Sequence, residues 1–147
     1  MSEIGCLGDI HVSNLEVEQH CLLNSDQTIT GNTHISGRIT LTSGGAVSQL
    51  TSKSTNVTLN ARSGKITTNN AELAANGIVT FDVLNNTITA NDVILANHVS
   101  GGTLGSYVIN INTINNNSFR VTISNISSTA RSEILVINFA AFTATLS

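Results

Sequence analysis

Apolar residues recur at every sixth position near the start of the chain, and this repeat constrains the fold more than any other feature. The residues of this hexad are Leu23, Ile29, Ile35, Leu41 and Val47. A six-residue period does not keep side chains on one face of an α-helix, which repeats about every 3.6 residues. It suits short strands joined by tight corners, with one inward apolar side chain per rung, as in β-helical and threaded shafts.

A hexad ribbon of about 25 residues buries too little apolar surface to be stable by itself. The simplest partner is another copy of the same ribbon. The sequence therefore predicts a short trimeric β-stalk over residues 23–48, with the hexad residues of three chains as its core. A flexible joint at Ser43-Gly44-Gly45 is expected to separate this stalk from a C-terminal head.

The composition favours β-structure. Only 10% of the residues are charged, Pro is absent, and Asn, Thr and Ser together make up more than a third of the chain. Abundant Thr, Val and Ile are typical of strands, and Asn and Gly supply turns. Disordered chains are usually richer in charge and in Pro. We therefore expect a folded all-β protein with a core of Ile, Val and Leu, because aromatic residues are only 3% of the chain.

The charge pattern and the apolar runs argue against two classes of partner. Six Lys and Arg residues are scattered along a chain of net charge −3, so there is no basic stripe for direct nucleic-acid binding. The first residues lack the charged and apolar regions of a signal peptide, and no run of about 18 apolar residues could span a membrane. We expect a soluble protein that is made in the cytoplasm.

Residues 1–22 are predicted to form an attachment arm, because they contain both cysteines and two of the four histidines. The candidate attachment residues are Cys6, Ile10, Val12, Leu15, Val17 and Cys21. The spacing of Cys6 and His11, with His20 adjacent to Cys21, is poor for one tetrahedral zinc site. Disulfide bonds and free thiols are the alternatives for the cysteines. No metal and no other cofactor is expected.

The remaining residues, 49–147, contain short runs of alternating apolar residues between Asn-rich and Gly-rich turns. The predicted strands are 57–59, 66–68, 78–84, 93–99, 107–114, 119–126 and 134–142. About seven or eight short strands in about 95 residues are typical of an antiparallel β-sandwich or jelly roll. Alternate residues such as Val79, Phe81 and Val83 are expected to share one face. A single helical turn is predicted at residues 71–75.

Several blocks of this head resemble a small domain that recurs in bacteriophage virion proteins. They are TSKSTNVTLN at 51–60, GKITTNNAELAANGIVTFDVLNN at 64–86, NDVILANHVSGGTLGSYVINI at 91–111 and SEILVINFA at 132–140. The resemblance implies a homotrimeric β-sandwich knob exposed on a phage particle, either on the capsid surface or at a fibre tip. It implies a protein that is not an enzyme, and it transfers no catalytic residues.

Other motifs in the head have simple structural interpretations. The glycine-rich stretch 100–106 lacks the Lys and Ser or Thr that end a phosphate-binding loop, so we expect a hairpin loop. Asp92 and His98 would lie about 20 Å apart along one strand, too far to form a catalytic triad with Ser100. Asp82 is expected to be solvated or bound to a backbone amide.

These observations favour a phage capsid decoration, or cement, protein. It would bind the major capsid protein as a trimer at threefold positions between capsomers, and it would stabilise the shell because it binds only the assembled form. The alternative is a tail-fibre or receptor-binding tip protein that recognises a host surface glycan or protein. A stalk on the order of 20 Å long, at about 4.8 Å per rung, is short for a fibre.

A polysaccharide depolymerase is the least favoured alternative, because the head has few carboxylates and one Tyr with which to build a sugar-binding groove. The expected location is therefore the capsid surface of a virion, after synthesis in the host cytoplasm.

Overall fold

The computed structural model of the protein describes residues 27–42 and 44–144, and no helix occurs among them. The chain divides into two compact units, residues 1–38 and 39–147, and every described strand belongs to the second unit. The strands are β1 (Gly45–Ser48), β2 (Val57–Thr58), β3 (Ser63–Thr67), β4 (Ile78–Leu84), β5 (Asp92–Gly101), β6 (Tyr107–Asn115), β7 (Ser118–Asn125) and β8 (Leu135–Thr143). Each of the seven predicted strands overlaps one of β2 to β8, with bounds that differ most at β3.

The strands form two four-stranded sheets that make a β-sandwich. Sheet A has the order β1-β3-β8-β5, and sheet B has the order β2-β4-β7-β6. Only the hairpin between β6 and β7 stays within one sheet among the described connections, and each of the others carries the chain from one sheet to the other. The predicted all-β sandwich is therefore confirmed.

Two of the edge pairings are parallel, β1 with β3 and β2 with β4. The other pairings between the strands are antiparallel. Parallel strands need a crossover connection, and here the strand between each parallel pair lies in the opposite sheet. The expectation of a purely antiparallel sandwich is therefore wrong at these two edges, because alternating apolar residues do not specify the direction of the neighbouring strand.

The core between the sheets is built from alternate residues of the strands. Its most buried apolar side chains are Ile66, Val83, Ile88, Phe119, Val121, Ile123, Leu135 and Ile137. The rings of Phe119 and Phe139 lie 5.1 Å apart at 58°, a tilted arrangement that aromatic pairs favour. The inward face predicted for β4 is confirmed, because Phe81 and Val83 are buried and Val79 packs against the core.

The helical turn predicted at residues 71–75 is wrong. Leu73 is buried and forms an antiparallel bridge with Arg131, in which each amide donates to the other carbonyl, at 2.9 and 3.0 Å. A turn follows, in which the Gly77 amide donates to the Ala74 carbonyl at 2.9 Å. The helix propensity of this Ala-rich segment is a weak preference, and the burial of Leu73 against the core overrides it.

The end of the predicted stalk belongs to the sandwich. Val47 lies in β1, pairs with Ile66 of β3 and packs against the core. The head therefore starts at or before Gly45, not at residue 49. Val47 shares the six-residue spacing, but its burial comes from its own chain, because β1 is hydrogen-bonded into sheet A.

The other described hexad residues are exposed in the single chain. Ile29 and Ile35 are 59% and 53% exposed, Leu41 is also exposed, and residues 27–42 form no strand. Leu23 lies outside the described residues. The burial of these side chains by two further copies stays a prediction.

Ile137→Ala should lower the free energy of unfolding by about 3 kcal/mol, because it leaves a cavity in the centre of the core. Ile78→Ala is the matched control, because Ile78 is an exposed isoleucine of β4, and its effect should stay within about 0.5 kcal/mol. Urea unfolding followed by circular dichroism measures both. Equal losses in the two variants would contradict the assignment of the core.

Candidate interaction surface

The outward face of sheet A is apolar along β5 and β8. Val93, Leu95 and Val99 of β5 are 48%, 58% and 53% exposed, and Phe142 of β8 is 45% exposed. The register places Val93 beside Phe142 and Leu95 beside Ala140, so these side chains adjoin across the two strands. We call these five residues the apolar strip.

Both faces of β5 and β8 are apolar in this region. Ile94 faces the core, whereas Val93 and Leu95 on either side of it face outward. A strand with one solvated face usually alternates apolar and polar residues, and a strand covered on both faces reads as a continuous apolar run. The runs VILA at 93–96 and FAAF at 139–142 are of the second kind. The two strands therefore have the composition of strands that are covered on both sides.

The side of the sandwich next to the strip has long, uncharged edges. β5 and β6 are the edge strands of the two sheets there and pack next to each other, whereas β1 and β2 at the opposite edges are short. Proteins usually protect exposed edges with charges, Pro, bulges or short strands. No Lys, Arg, Asp, Glu or Pro occurs from Val93 to Phe119, and β5 and β6 each contain one register shift. The edges are therefore protected by irregularity but not by charge.

The outward face of sheet B has a polar centre, although Ile78 and Leu84 of β4 and Val108 of β6 are also exposed on it. Asp82 of β4 forms a two-point ion pair with Arg120 of β7, with N–O distances of 2.8 and 3.1 Å. The Thr122 hydroxyl donates to the Asn112 side chain at 2.9 Å. The hydrogen bond from Arg120 holds the pKa of Asp82 below its usual value. The expectation that Asp82 is solvated or bound to a backbone amide is thus corrected, because its carboxylate is paired with Arg120.

A loop that joins the two sheets holds Leu104 in solvent. Leu104 is 99% exposed. Gly102 has a φ of 67°, and a β-carbon there would collide with the ring of Tyr107, so glycine is needed at this position. The hairpin loop expected for residues 100–106 is wrong, because β5 and β6 lie in different sheets.

Glu133 anchors this loop. Its carboxylate accepts hydrogen bonds from the Thr103 amide at 3.0 Å, the Thr103 hydroxyl at 2.7 Å and the Tyr107 hydroxyl at 2.9 Å. The hydrogen bonds from Thr103 lower the pKa of Glu133, whereas burial and the adjacent Glu133 raise the pKa of Tyr107 to about 12. Arg131 also donates to the Thr103 hydroxyl, at 2.6 Å. These hydrogen bonds therefore hold the loop that exposes Leu104 in one conformation.

Lys53 is a buried cross-link close to this anchor. Its ammonium group donates to the main-chain carbonyls of Asn69 and Glu133. Burial lowers the pKa of Lys53, and the charge of Glu133 opposes that shift. Gln49, also buried, donates to the carbonyls of Lys53 and Thr55 at 3.0 and 2.7 Å. These contacts give Lys53 a structural role.

A second cross-link lies at the start of β5. Arg62 contacts both oxygens of Asp92, at 2.8 and 3.2 Å. The Thr143 hydroxyl and the Thr89 amide donate to the same carboxylate, at 2.6 and 2.9 Å. Burial alone would raise the pKa of Asp92, but these hydrogen bonds outweigh it and lower the pKa to about 2. The carboxylate therefore stays ionised and ties β5 to its neighbours.

The structure does not bring Asp92, His98 and Ser100 together. The Asp92 carboxylate is occupied by Arg62, and the His98 ring nitrogen lies 3.1 and 2.9 Å from the carbonyls of Ser100 and Gly101. No group of three or more His, Cys, Asp or Glu side chains that could hold a metal ion occurs in the described ranges. A helix long and apolar enough to cross a membrane is likewise not found within them.

The predicted attachment residues of the arm, residues 1–22, lie outside the described residues. The apolar strip is not among the predicted site residues, although the sequence contains a signal for it. Alternation over 93–99 predicts a strand, and the additional apolar residues in the outward positions indicate that its second face is covered.

The comparisons with known proteins add no relative. No protein-family model matches the chain, and no curated protein and no solved structure matches it significantly. The resemblance to phage virion proteins therefore stays a prediction.

Acid should destabilise the sandwich through Asp92. The folded-state pKa of about 2 lies below the ordinary value of 3.8, so the stabilisation is complete above about pH 4 and is lost as the pH falls towards 2. Asp92→Asn should lower stability by about 3 kcal/mol near neutral pH and flatten its pH dependence in that range. Urea midpoints between about pH 2 and 6 test this. If the stability of the variant falls with pH as steeply as that of the wild type, Asp92 is not the cause of the acid sensitivity.

Glu133→Gln should loosen the loop that carries Leu104, because hydrogen bonds to a charged acceptor are the stronger ones. Hydrogen exchange at the Thr103 amide should become at least about tenfold faster. Glu72→Gln is the control, because Glu72 is an exposed glutamate of the same sandwich. If Thr103 exchanges at the same rate in the Glu133 variant as in the wild type, Glu133 is not the anchor.

Proposed function

We propose that this chain is a bacteriophage capsid decoration protein that forms a homotrimer and binds the major capsid protein at threefold positions between capsomers. The observation that supports this proposal most directly is the contrast between the two outward faces of the sandwich. Sheet B presents ion-paired and hydroxyl side chains at its centre, with Ile78, Leu84 and Val108 exposed nearer the strand ends, whereas sheet A presents the adjoining side chains of the apolar strip. A face with a polar centre and a face with an apolar strip fit a subunit of a larger assembly.

Each segment has a role in this proposal. The arm, residues 1–22, grips the shell, and the hexad residues other than Val47 pack around the threefold axis. The sandwich projects outward. Because the trimer binds the assembled shell and not its separated subunits, it stabilises the shell by mass action. The exposure of Ile29 and Ile35 in the single chain supports a role for them in assembly.

The proposal predicts that purified protein is a trimer, with a light-scattering mass about three times 15.4 kDa. Added to virions made without its gene, it should occupy sites across the shell and raise the temperature of genome release. The protein lacking residues 1–22 should remain a folded trimer but no longer bind. This deletion variant separates attachment from folding, because circular dichroism reports the β-structure independently.

The number of copies per virion distinguishes the decoration proposal from the tail-fibre alternative. Occupancy of threefold sites over the whole shell is the expected result. A few copies confined to the tail, together with binding to host cells, would replace the decoration proposal with the tail-fibre one. Full binding by the truncated protein would place the attachment surface in the stalk or the sandwich.

A further inference from the structure

We propose that the apolar strip is covered by a second copy of this chain, so that β5 and β8 form a contact between protomers. The inference rests on the self-assembly that is part of the proposed function, and it assigns part of that assembly to a defined face of the sandwich. The stalk alone is then not the trimer contact. The strip is defined by Val93, Leu95, Val99, Ala140 and Phe142.

The charge of the strip indicates a copy of the same chain as the partner. None of its five residues is charged, and between them on the outward face lie Asn97 and Asn138, which pair across the strands. The charged residue that adjoins this face in register is Lys65 of β3, which pairs with Asn138. A charged partner surface would lose water here without finding a counter-charge. A copy of this chain offers an equally uncharged surface from Val93 to Phe119.

The size of the strip fits part of a subunit contact. Its exposed apolar area is on the order of 400 Å², similar to the largest apolar patch on typical monomers, which is often functional. A stable contact buries about 800 Å² on each partner. The pair of Asn97 and Asn138 and the uncharged β5 edge adjoin the strip and supply polar rim contacts. The strip thus supplies about half of the area that a stable contact buries on each partner, and the rim and the stalk supply the rest.

The inference predicts that Leu95→Lys weakens self-association of the full chain. A lysine at this position would place one uncompensated charge in each contact. The concentration at which the oligomer dissociates, measured by sedimentation velocity, should rise at least about tenfold. Leu95 is mostly exposed in the single chain, so the dissociated variant should unfold at a temperature close to that of wild-type protein diluted until it also dissociates.

Two further variants keep the test sharp. Thr80→Lys adds the same charge at an exposed position on the outward face of sheet B, and it should leave the oligomer unchanged. Phe142→Ser removes apolar area from the strip without adding charge, and it should also weaken the oligomer. If Leu95→Lys does not fold, Phe142→Ser gives the answer.

The outcomes separate this inference from the proposed function. Wild-type association of both strip variants, or a monomeric wild type, overturns the inference. It is also overturned if Leu95→Lys stays oligomeric but no longer binds virions, because the strip then belongs to the capsid contact and the decoration proposal stands. If the variant dissociates and the wild-type oligomer never binds virions, the inference stands and the decoration proposal fails.

Discussion

The structure depends on the burial of alternate side chains from β7 and β8, two of the four strands that are paired on both sides within their sheets. β7 places Phe119, Val121 and Ile123 in the core and polar residues outside, and β8 places Leu135 and Ile137 opposite them. A shift of one residue in either strand would exchange its two faces. For β7 that shift would bury Arg120, so its register is strongly fixed. For β8 the outward residues other than Asn138 are themselves apolar, so its register depends more on pairing with β3 and β5.

The same alternation explains how much of the fold the sequence could predict. Every predicted strand of the head exists, because period-two burial is a local property of each run. The parallel edges could not be predicted, since strand direction depends on the path of the chain through the opposite sheet. Local propensity could not predict the extended backbone at Leu73 or the turn after it. The structure there is determined by the bridge between Leu73 and Arg131, which are far apart in the sequence. Val47 fits both the six-residue spacing of the stalk and the alternation of β1. Only its pairing with Ile66 shows that it belongs to the sandwich.

The polar cross-links were beyond prediction for a related reason. Glu133 meets Thr103, and Arg62 meets Asp92, over separations of 30 residues in each case. The sequence contains these residue types but no spacing that pairs them. The strip could have been predicted, because its signal is local: β5 and β8 have apolar residues at both the inward and the outward positions. A strand pattern therefore predicts the inner face of a sandwich directly, and departures from that pattern predict which outer face is covered.

The energetics of the strip indicate why it would act together with the stalk. At about 25 cal/mol per Å², an area on the order of 400 Å² contributes roughly 10 kcal/mol. The loss of translational and rotational freedom on association costs roughly 4–15 kcal/mol. These terms nearly cancel, so the strip alone supports a weak contact. Residues that already join the chains elsewhere raise the effective concentration of one strip near its partner. Under the proposed assembly the exposed hexad residues supply that link, and a weak contact between sandwiches becomes a stable one without a larger apolar face that would aggregate in the free chain.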